Sequence, residues 1–316
     1  MKLLVTGGAG YIGSVVTAQL LAAGHEVVVL DDLSMGYEDA VPDGATYVRG
    51  SLRDATDVLD QSYDGVLHFA AKALVAESVE HPDRYWDNNV VGTLALLEAM
   101  RDTGVGRLVF SSTCATYGVP TRVPIREDEP TAPINPYGQS KLAVDMAIRG
   151  WAEAYGLAAV SLRYFNVGGA YGRLGERHDP ETHLIPNVLQ VAAGRGDAVQ
   201  IFGSDYDTRD GTCVRDYLHV VDLGTAHLLA IEGVVAGQHR IYNLGSGTGY
   251  TVREVVDACR RATGASVPTV DRPRRPGDPP ALVASSELIA AELGWKPAFD
   301  LDRIVADAWS FMEARE

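Results

Sequence analysis

The chain has 316 residues, of which 46% are hydrophobic, and its formal net charge is −15. The length allows two domains or one large one, and the apolar content excludes a disordered or fibrous chain. The negative charge disfavours non-specific binding to nucleic acid or to an anionic membrane, so an anionic ligand would need a local cationic pocket.

Cysteine usage and apolar segments indicate the compartment. Cys114, Cys213 and Cys259 are far apart and odd in number, so they predict no disulfide framework and favour a reducing environment. The apolar start at residues 1–5 reaches Gly7 too soon for a signal-peptide core, and no stretch is long enough to span a bilayer. We therefore predict a cytoplasmic protein that binds neither nucleic acid nor a membrane.

The first elements in chain order are a strand, a loop, a helix and a second strand. A buried strand is predicted at 2–6, a helix at 11–23 and the next strand at 26–30. Short apolar runs at 66–70, 108–111 and 160–164 predict further strands. This order predicts an α/β fold, a Rossmann-type doubly wound parallel sheet with crossover helices.

The middle and the second half of the chain differ in character. Long helices are predicted at about 83–100 and 136–154, the second with Pro136 in its first turn. Polar loops follow at 168–180, 203–211 and 271–280, which is typical of a binding region. We predict a Rossmann domain over 1–166 and a smaller C-terminal α/β substrate domain over 167–316, with segments around 216–245 packing back onto the first.

A glycine loop joins the first predicted strand to the first helix. Residues 6–13 read TGGAGYIG, with glycine at 7, 10 and 13. Such glycines allow a tight turn and a close approach to a pyrophosphate, which the helix N-terminus attracts. The second strand leads into Asp31 and Asp32, and an acid there accepts hydrogen bonds from an adenosine ribose and repels a 2′-phosphate. The pattern predicts a dinucleotide site that prefers NAD to NADP.

A tyrosine and a lysine share one face of the second mid-chain helix. Tyr137 and Lys141 are four residues apart. A free tyrosine has a pKa of about 10, but a nearby ammonium and an oxidised nicotinamide both favour the phenolate. We therefore predict that Tyr137 acts as the general base and that Lys141, beside it, binds the nicotinamide ribose. Thr113 is predicted to hydrogen-bond the reacting oxygen, because strand ends face the ligand crevice.

Together these motifs resemble the extended short-chain dehydrogenase/reductases. Further stretches narrow the resemblance to the UDP-glucose 4-epimerase family and run over nearly the whole chain. They are DDLS at 31–34, HFAAK at 68–72, NNV at 88–90, NPY at 135–137, LRYFN at 162–166, GTCVRDYLHV at 211–220, YNLG at 242–245 and RRPGD at 274–278.

The resemblance implies NAD as the cofactor. Around its adenosine half it places Tyr11, Ile12, Asp31, Asp32, Leu33, Ser34, Met35, Gly36, Ser51 and Leu52. Along its other side it places Phe69, Ala70, Ala71, Lys72, Ala73, Asn88 and Phe165. The implied cofactor site is completed by Gly7, Gly10, Gly13, Thr113, Tyr137 and Lys141.

The resemblance implies a UDP-sugar as substrate and partner. The sugar or its diphosphate would be contacted by Thr113, Tyr137, Asn166, His183 and Leu184, and the diphosphate by Arg215 and Arg275. Guanidinium groups match phosphate oxygens well. Asp278 would bind the uridine ribose, the uracil would lie on Gln200, Ile201 and Phe202, and Leu282 would stand at the gate of the sugar pocket.

Several positions depart from the family pattern. Ser51 stands where an acid is usual, Lys72 falls one position early with Ala73 in its place, and His183 occupies a common asparagine position. Leu282 replaces a tyrosine or a small residue, which leaves the acceptance of N-acetylated sugars open. His178 and His183 lie in one loop, but the sequence completes no metal site with them and no metal is predicted.

The implied activity is interconversion of UDP-glucose and UDP-galactose through transient oxidation at sugar C4. Epimerisation of UDP-GlcNAc and UDP-GalNAc, or of UDP-glucuronate, remains an alternative, as does a non-catalytic NAD-sensing module. A 4,6-dehydratase is disfavoured, because Cys114 and Ala115 follow Thr113 where that chemistry needs an acid and a base. The resemblance further implies a homodimer formed through the two mid-chain helices.

Overall fold

The computed structural model describes residues 1–275 and 277–315. In the first half the strands are β1 (Lys2–Thr6), β2 (Glu26–Asp31), β3 (Thr46–Arg49), β4 (Gly65–His68), β5 (Arg107–Thr113) and β6 (Ala158–Tyr164). The helices are α1 (Tyr11–Ala22), α2 (Ala55–Val58), α3 (Val75–Glu80), α4 (Pro82–Tyr85), α5 (Gly92–Thr103) and α6 (Pro136–Tyr155). A π-helical turn at Trp86–Val91 joins α4 to α5, and 3-10 turns lie at Glu38–Ala40, Leu52–Asp54 and Cys114–Thr116.

The second half adds shorter strands and further helices. The strands are β7 (Asn166–Gly168), β8 (Ala170–Tyr171), β9 (Leu174–Gly175), β10 (Val199–Phe202), β11 (Val214–Arg215), β12 (Tyr217–His219), β13 (His239–Leu244), β14 (Tyr250–Thr251), β15 (Thr269–Arg272) and β16 (Ala281–Leu282). The helices are α7 (Leu184–Ala192), α8 (Val220–Gly233), α9 (Val252–Thr263), α10 (Glu287–Leu293) and α11 (Leu301–Glu313). Over the described ranges, none of the helices has the length and apolar character needed to cross a membrane.

Seven parallel strands form the main sheet, in the order β13-β6-β5-β4-β1-β2-β3. The chain first builds outward from β1 through β2 to β3, and then starts again on the other side of β1 with β4. This reversal leaves a crevice at the carboxyl ends of β1 and β4, where Thr6 lies beside His68. Ligands of open α/β sheets bind in such a crevice.

Helices cover both faces of this sheet. Alternate side chains of a strand point to opposite faces, and in β1 Leu3 and Val5 join a core with residues of α1 and α8, while Leu4 joins one with residues of α5 and α6. Leu97, Val144 and Ile148 all lie in this second core. Burial on both faces explains why the strands read as nearly continuous apolar runs.

The second half of the chain contributes to two regions. Residues of α7, α9 and α11 form a smaller core of their own. In contrast, β13 pairs with β6 as an outer strand of the main sheet, and α8 packs on α1. The domain boundary near residue 166 stays a prediction, because the chain returns to the first region after it.

Some elements differ from their predicted spans. The segment 83–100 is not one regular helix, since the π-helical turn interrupts it and α5 continues to Thr103. A π turn shifts the helical register by one residue, which apolar periodicity does not reveal. No strand is predicted at β3, whose short run carries Thr46 and Arg49 at the edge of the sheet.

Candidate active site

In the loop between β1 and α1, the positions of Gly7 and Gly13 have no room for a side chain. Gly7 has a φ of 74°, and a Cβ there would lie 2.5 Å from the Ala70 nitrogen. A Cβ on Gly13 would lie 2.1 Å from the carbonyl oxygen of Gly7. Gly10 precedes α1, and no side chain caps that helix end. The loop is therefore an open cradle at the crevice, and its backbone suits a pyrophosphate.

Acidic residues at the end of β2 are tied to this loop. The Asp31 carboxylate accepts hydrogen bonds from the Ala9 nitrogen at 3.0 Å and the Leu33 nitrogen at 2.8 Å. Burial raises the pKa of Asp31, and these backbone hydrogen bonds act in the opposite direction. Asp32 accepts a hydrogen bond from the Ser34 nitrogen at 2.8 Å. The chain then turns back against the loop, since a Cβ on Gly36 would lie 2.9 Å from the carbonyl carbon of Ala9.

Ser51 and Leu52 have local partners. The Asp54 carboxylate accepts from the Ser51 backbone nitrogen at 2.7 Å, as in a capping box, and from the Ser51 hydroxyl at 2.9 Å, and that hydroxyl accepts from the Arg53 nitrogen at 3.3 Å. Its proton is therefore engaged, and acceptor capacity alone remains for a ligand. Leu52 is buried in the core beneath α5.

The segment after β4 is held by an asparagine that the sequence did not single out. Asn89 is buried in the π-helical turn, where its amide accepts from the Lys72 nitrogen at 2.8 Å and donates to the Lys72 carbonyl at 3.0 Å. It also donates to the Ser140 hydroxyl of α6 at 3.0 Å, and the predicted Asn88 donates to it at 3.0 Å. Asn89 thus links segment 69–73 to the helix that carries Tyr137. The sequence points to Asn89 only as part of the NNV stretch at 88–90, because apolar periodicity does not reveal a π turn.

The tyrosine and the lysine of α6 face the carboxyl end of β5. Asn135 caps this helix by accepting from the Gly138 nitrogen at 2.8 Å. A Cβ on Gly138 would lie 2.5 Å from the Ala115 carbonyl oxygen, so glycine lets α6 approach the strand end closely. The Lys141 ammonium donates to the Ser111 carbonyl at 2.7 Å. Tyr137 is half-buried and hydrogen-bonds Thr113.

Burial shifts the proton affinities of this pair in opposite directions. It raises the pKa of Tyr137 to about 12, and the hydrogen bond with Thr113 acts in the opposite direction. Burial lowers the pKa of Lys141 to about 7, against the attraction of the Asp145 carboxylate. In the cofactor-free protein the phenol is therefore protonated at neutral pH. A cationic group bound beside it would favour the phenolate.

A buried ion pair lies one helical turn beyond Lys141. The Arg163 guanidinium of β6 donates to Asp145 at 2.8 Å and 3.1 Å, and both side chains are almost fully buried. Ser112 donates to the same carboxylate oxygen at 3.2 Å. This network fixes α6 to β5 and β6. The sequence did not single out this pair, whose members lie 18 residues apart in different elements.

Predicted substrate residues of the second half come together around β11 and β16. Arg215 is the strand neighbour of Leu282, and its guanidinium donates to Asp278 at 2.5 Å. Leu282 packs in a cluster with Phe165 and Cys114, and Cys114 directly follows β5. The cluster therefore connects β16 to the end of β5. The guanidinium of Arg275 lies 4.1 Å from the centre of the Phe202 ring. In β10, Gln200 is exposed while Ile201 is buried.

Asn166 and the loop before α7 contain the other residues predicted to contact the sugar or its diphosphate. The Asn166 amide donates to the Asp216 carbonyl at 3.0 Å. His183 directly precedes α7, which begins at Leu184. The fold also brings Glu176 and Glu181 to His178 and His183, with one ligand atom of each within 4.8 Å of the others. These partners of the histidines are not evident from the sequence, because the glutamates meet them only through the path of the loop.

This arrangement defines a class of protein. A glycine-loop Rossmann fold binds a dinucleotide in the crevice, and a tyrosine with a lysine beside that crevice can move a proton to or from a hydroxyl. The fold and the site are those of a nicotinamide-dependent enzyme of the short-chain dehydrogenase/reductase type.

Comparison with known proteins narrows this class. Residues 3–245 match the NAD dependent epimerase/dehydratase family. A UDP-glucose 4-epimerase of Corynebacterium glutamicum is 56% identical over 99% of this chain and 96% of its own length. The crystal structure of UDP-glucose 4-epimerase from Brucella ovis in complex with NAD has a TM-score of 0.94 at 48% identity, covering 98% of each chain. The enzyme from Bifidobacterium longum in complex with NAD+ and UDP has a TM-score of 0.92 at 37% identity, covering 99% of this chain and 98% of that one.

The chain belongs to the NAD dependent epimerase/dehydratase family. This confirms the predicted α/β Rossmann-type fold, the resemblance read from the sequence motifs and NAD as the cofactor. The roles of the individual site residues stay predictions.

Proposed function

We propose that this enzyme interconverts UDP-glucose and UDP-galactose by inverting the configuration at sugar C4. The observation that carries the proposal is the meeting of two side chains of α6 at the end of β5, where Tyr137 interacts with Thr113 and Lys141 donates to the Ser111 carbonyl at 2.7 Å. The similarity to UDP-glucose 4-epimerases over nearly the whole chain supports the same reaction.

The glycine loop and the end of β2 hold the cofactor. The backbone at Gly7, Gly10 and Gly13 receives the pyrophosphate, and Asp31 accepts hydrogen bonds from the adenosine ribose. Lys141 holds the nicotinamide ribose, while Asn89 keeps segment 69–73 in place. NAD held by these residues would supply the hydride acceptor for oxidation at sugar C4 and the hydride donor for reduction from the opposite face.

Tyr137, Thr113 and Lys141 handle the proton. Thr113 hydrogen-bonds the sugar 4-hydroxyl, and Tyr137 removes its proton and later returns one. Because burial raises the pKa of Tyr137 to about 12, the base needs positive charge nearby. Lys141 supplies part of that charge while it is protonated, since both side chains lie on the same face of α6, and a bound oxidised nicotinamide would supply the rest.

The uridine diphosphate is held away from the reacting carbon. Arg215 and Arg275 contact the diphosphate, Asp278 the uridine ribose, and the strand β10 the uracil. The pairing of Arg215 with Asp278 orients both groups in advance. Binding energy spent on this remote part retains the oxidised sugar while it turns in the pocket.

The alternative functions can be distinguished by the UDP-sugar that the protein converts. Leu282 sits with Phe165 and Cys114 beside the end of β5, where an N-acetyl group or a carboxylate on the sugar would have to fit. Another UDP-sugar epimerase would prefer UDP-GalNAc or UDP-glucuronate, and an NAD-sensing module would turn over none of them.

The test is incubation of the purified protein with UDP-galactose, UDP-GalNAc or UDP-glucuronate separately, without added NAD, followed by separation of the products. We expect UDP-glucose from UDP-galactose, because the cofactor is regenerated in each cycle and stays bound. Absence of any product after reconstitution with NAD would rule out the proposed function.

We further propose a homodimer in the cytoplasm. The side chains of Met146, Val91 and Trp86 are 68%, 47% and 42% exposed on α6 and the adjoining π-helical turn, an apolar surface that suits a second copy of this chain. The cytoplasmic location is supported by the cysteines, since Cys114, Cys213 and Cys259 are all free.

Placing a charge on this surface is expected to break the dimer. Light scattering after size exclusion should show a dimer for the native chain and a monomer for Met146→Glu, because a carboxylate cannot be desolvated there without a partner. Leu288→Glu is the control, since Leu288 is 37% exposed on α10, which packs on α8 and β13. A native chain that elutes as a monomer would remove the dimer claim.

A further inference from the structure

The loop between β9 and α7 contains two Glu-x-His pairs that converge. Glu176 and His178 form the first pair, and Glu181 and His183 the second. The Nδ1 atom of His183 lies 2.7 Å from the Glu176 carboxylate and 2.9 Å from that of Glu181. The Nδ1 atom of His178 lies 2.9 Å from Glu176. Four side chains thus direct two nitrogens and two oxygens at one point.

Hydrogen bonds are shared unevenly in this cluster, since the Glu181 oxygen near His183 also accepts from the Thr182 and His183 nitrogens at 2.7 Å. The Nδ1 atom of His183 carries at most one proton, yet it lies within hydrogen-bond distance of two carboxylates, those of Glu176 and Glu181. Glu176 is almost fully buried, and burying a carboxylate requires a compensating positive charge. A proton on His183 can supply one positive charge, and a divalent cation among the ligand atoms would supply charge to both carboxylates at once.

The neighbouring arginine does not supply this charge. Arg177 lies between Glu176 and His178 in sequence, but its guanidinium donates to Asp39 at 2.6 Å and 2.9 Å. It also lies 3.7 Å from the centre of the Tyr37 ring. The loop therefore directs its arginine away from the carboxylates and leaves them to the histidines.

We propose that Glu176, His178, Glu181 and His183 bind one divalent transition-metal ion of the zinc type. Two imidazole nitrogens and two carboxylate oxygens are a zinc ligand set, whereas magnesium and calcium prefer oxygen ligands alone. A tetrahedral ion with bonds of about 2.1 Å separates its ligand atoms by roughly 3.4 Å. The ligand atoms here span up to 4.8 Å, so small rotamer changes bring them to that spacing.

The ion has a structural role. Four protein ligands leave no open position for a substrate, as in structural zinc sites. The middle of the loop is already attached near the end of β2, since the Tyr37 hydroxyl donates to the Arg177 carbonyl at 2.9 Å. The metal closes the rest of the loop, which orders the start of α7, while β9 at the other end of the loop packs on α1.

Metal binding to the tag-free, full-length protein tests this proposal. The protein is stripped with a chelator and titrated with Co²⁺, whose visible absorption reports tetrahedral coordination, and then with Zn²⁺ in competition with a chromophoric chelator. We expect one equivalent per chain, at least ten-fold weaker binding in His178→Gln and in Glu181→Gln, and native binding in the control His81→Gln, which replaces an exposed histidine outside the cluster.

Zinc should also raise the Tm of the native chain and of His81→Gln, but not that of His178→Gln, because a ligand that binds only the folded state stabilises it. A native chain that binds less than about a fifth of an equivalent, or variants that bind as the native chain does, would overturn the proposal. The titration contains no UDP-sugar, so its failure would leave the proposed reaction untouched.

Discussion

Replacing Tyr137 by phenylalanine is expected to lower the turnover of UDP-galactose by about a hundred-fold or more. General base catalysis contributes a factor of that size, and phenylalanine keeps the ring while it removes the only group proposed to take the 4-hydroxyl proton. The measurement is kcat for UDP-glucose formation at saturating substrate.

The control for this substitution is Tyr155→Phe at the other end of α6. Tyr155 is 57% exposed, so the loss of its hydroxyl should leave turnover unchanged. The NAD content of both variants should stay near that of the native chain, since phenylalanine keeps the ring of Tyr137 and the glycine loop is unchanged. Turnover of Tyr137→Phe within a few-fold of native would show that another group is the base.

Replacing Arg163 by methionine is expected to lower the free energy of unfolding by about 3–5 kcal/mol. The change leaves Asp145 buried without its charge partner, and an uncompensated buried charge costs that much. Arg163 donates to one oxygen of Asp145, and the other oxygen, Oδ1, has no hydrogen-bond partner among the residues that the structure describes. Arg163 is therefore the main compensation for the buried negative charge of Asp145. Urea denaturation of the native and variant proteins measures the difference.

Arg149→Met is the matched control for that loss. Arg149 forms an ion pair with Glu153 at 3.8 Å, but both side chains are more than 70% exposed. Such surface pairs contribute at most about 1 kcal/mol. If the two variants lost similar stability, the buried pair would not be the element that fixes α6 to the sheet. A second variant, Asp145→Asn with Arg163→Met, should recover part of the loss, because it removes the orphaned charge.

Local features of the site could be predicted from the sequence because the residues that form each of them are close together in the chain. The glycine spacing between β1 and α1 and the four-residue separation of Tyr137 and Lys141 each lie within one turn or helix, where backbone geometry fixes which side chains meet. The parallel sheet was predicted from the alternation of strands and helices and from apolar runs, because strands buried on both faces are nearly continuously apolar. The substrate class came from motifs that resemble a family rather than from these local rules.

Tertiary structure alone decided the contacts between distant segments. Asn89 reaches Ser140 across 51 residues, and Arg215 reaches Asp278 across 63. No periodicity or propensity encodes such pairs, because they depend on strand register, on a one-residue shift in a π-helical turn and on the path of loops. The convergence of Glu176 and Glu181 on His178 and His183 is of this kind. Short spacing in the chain made it possible, but only the folded loop directs the four ligand atoms to one point.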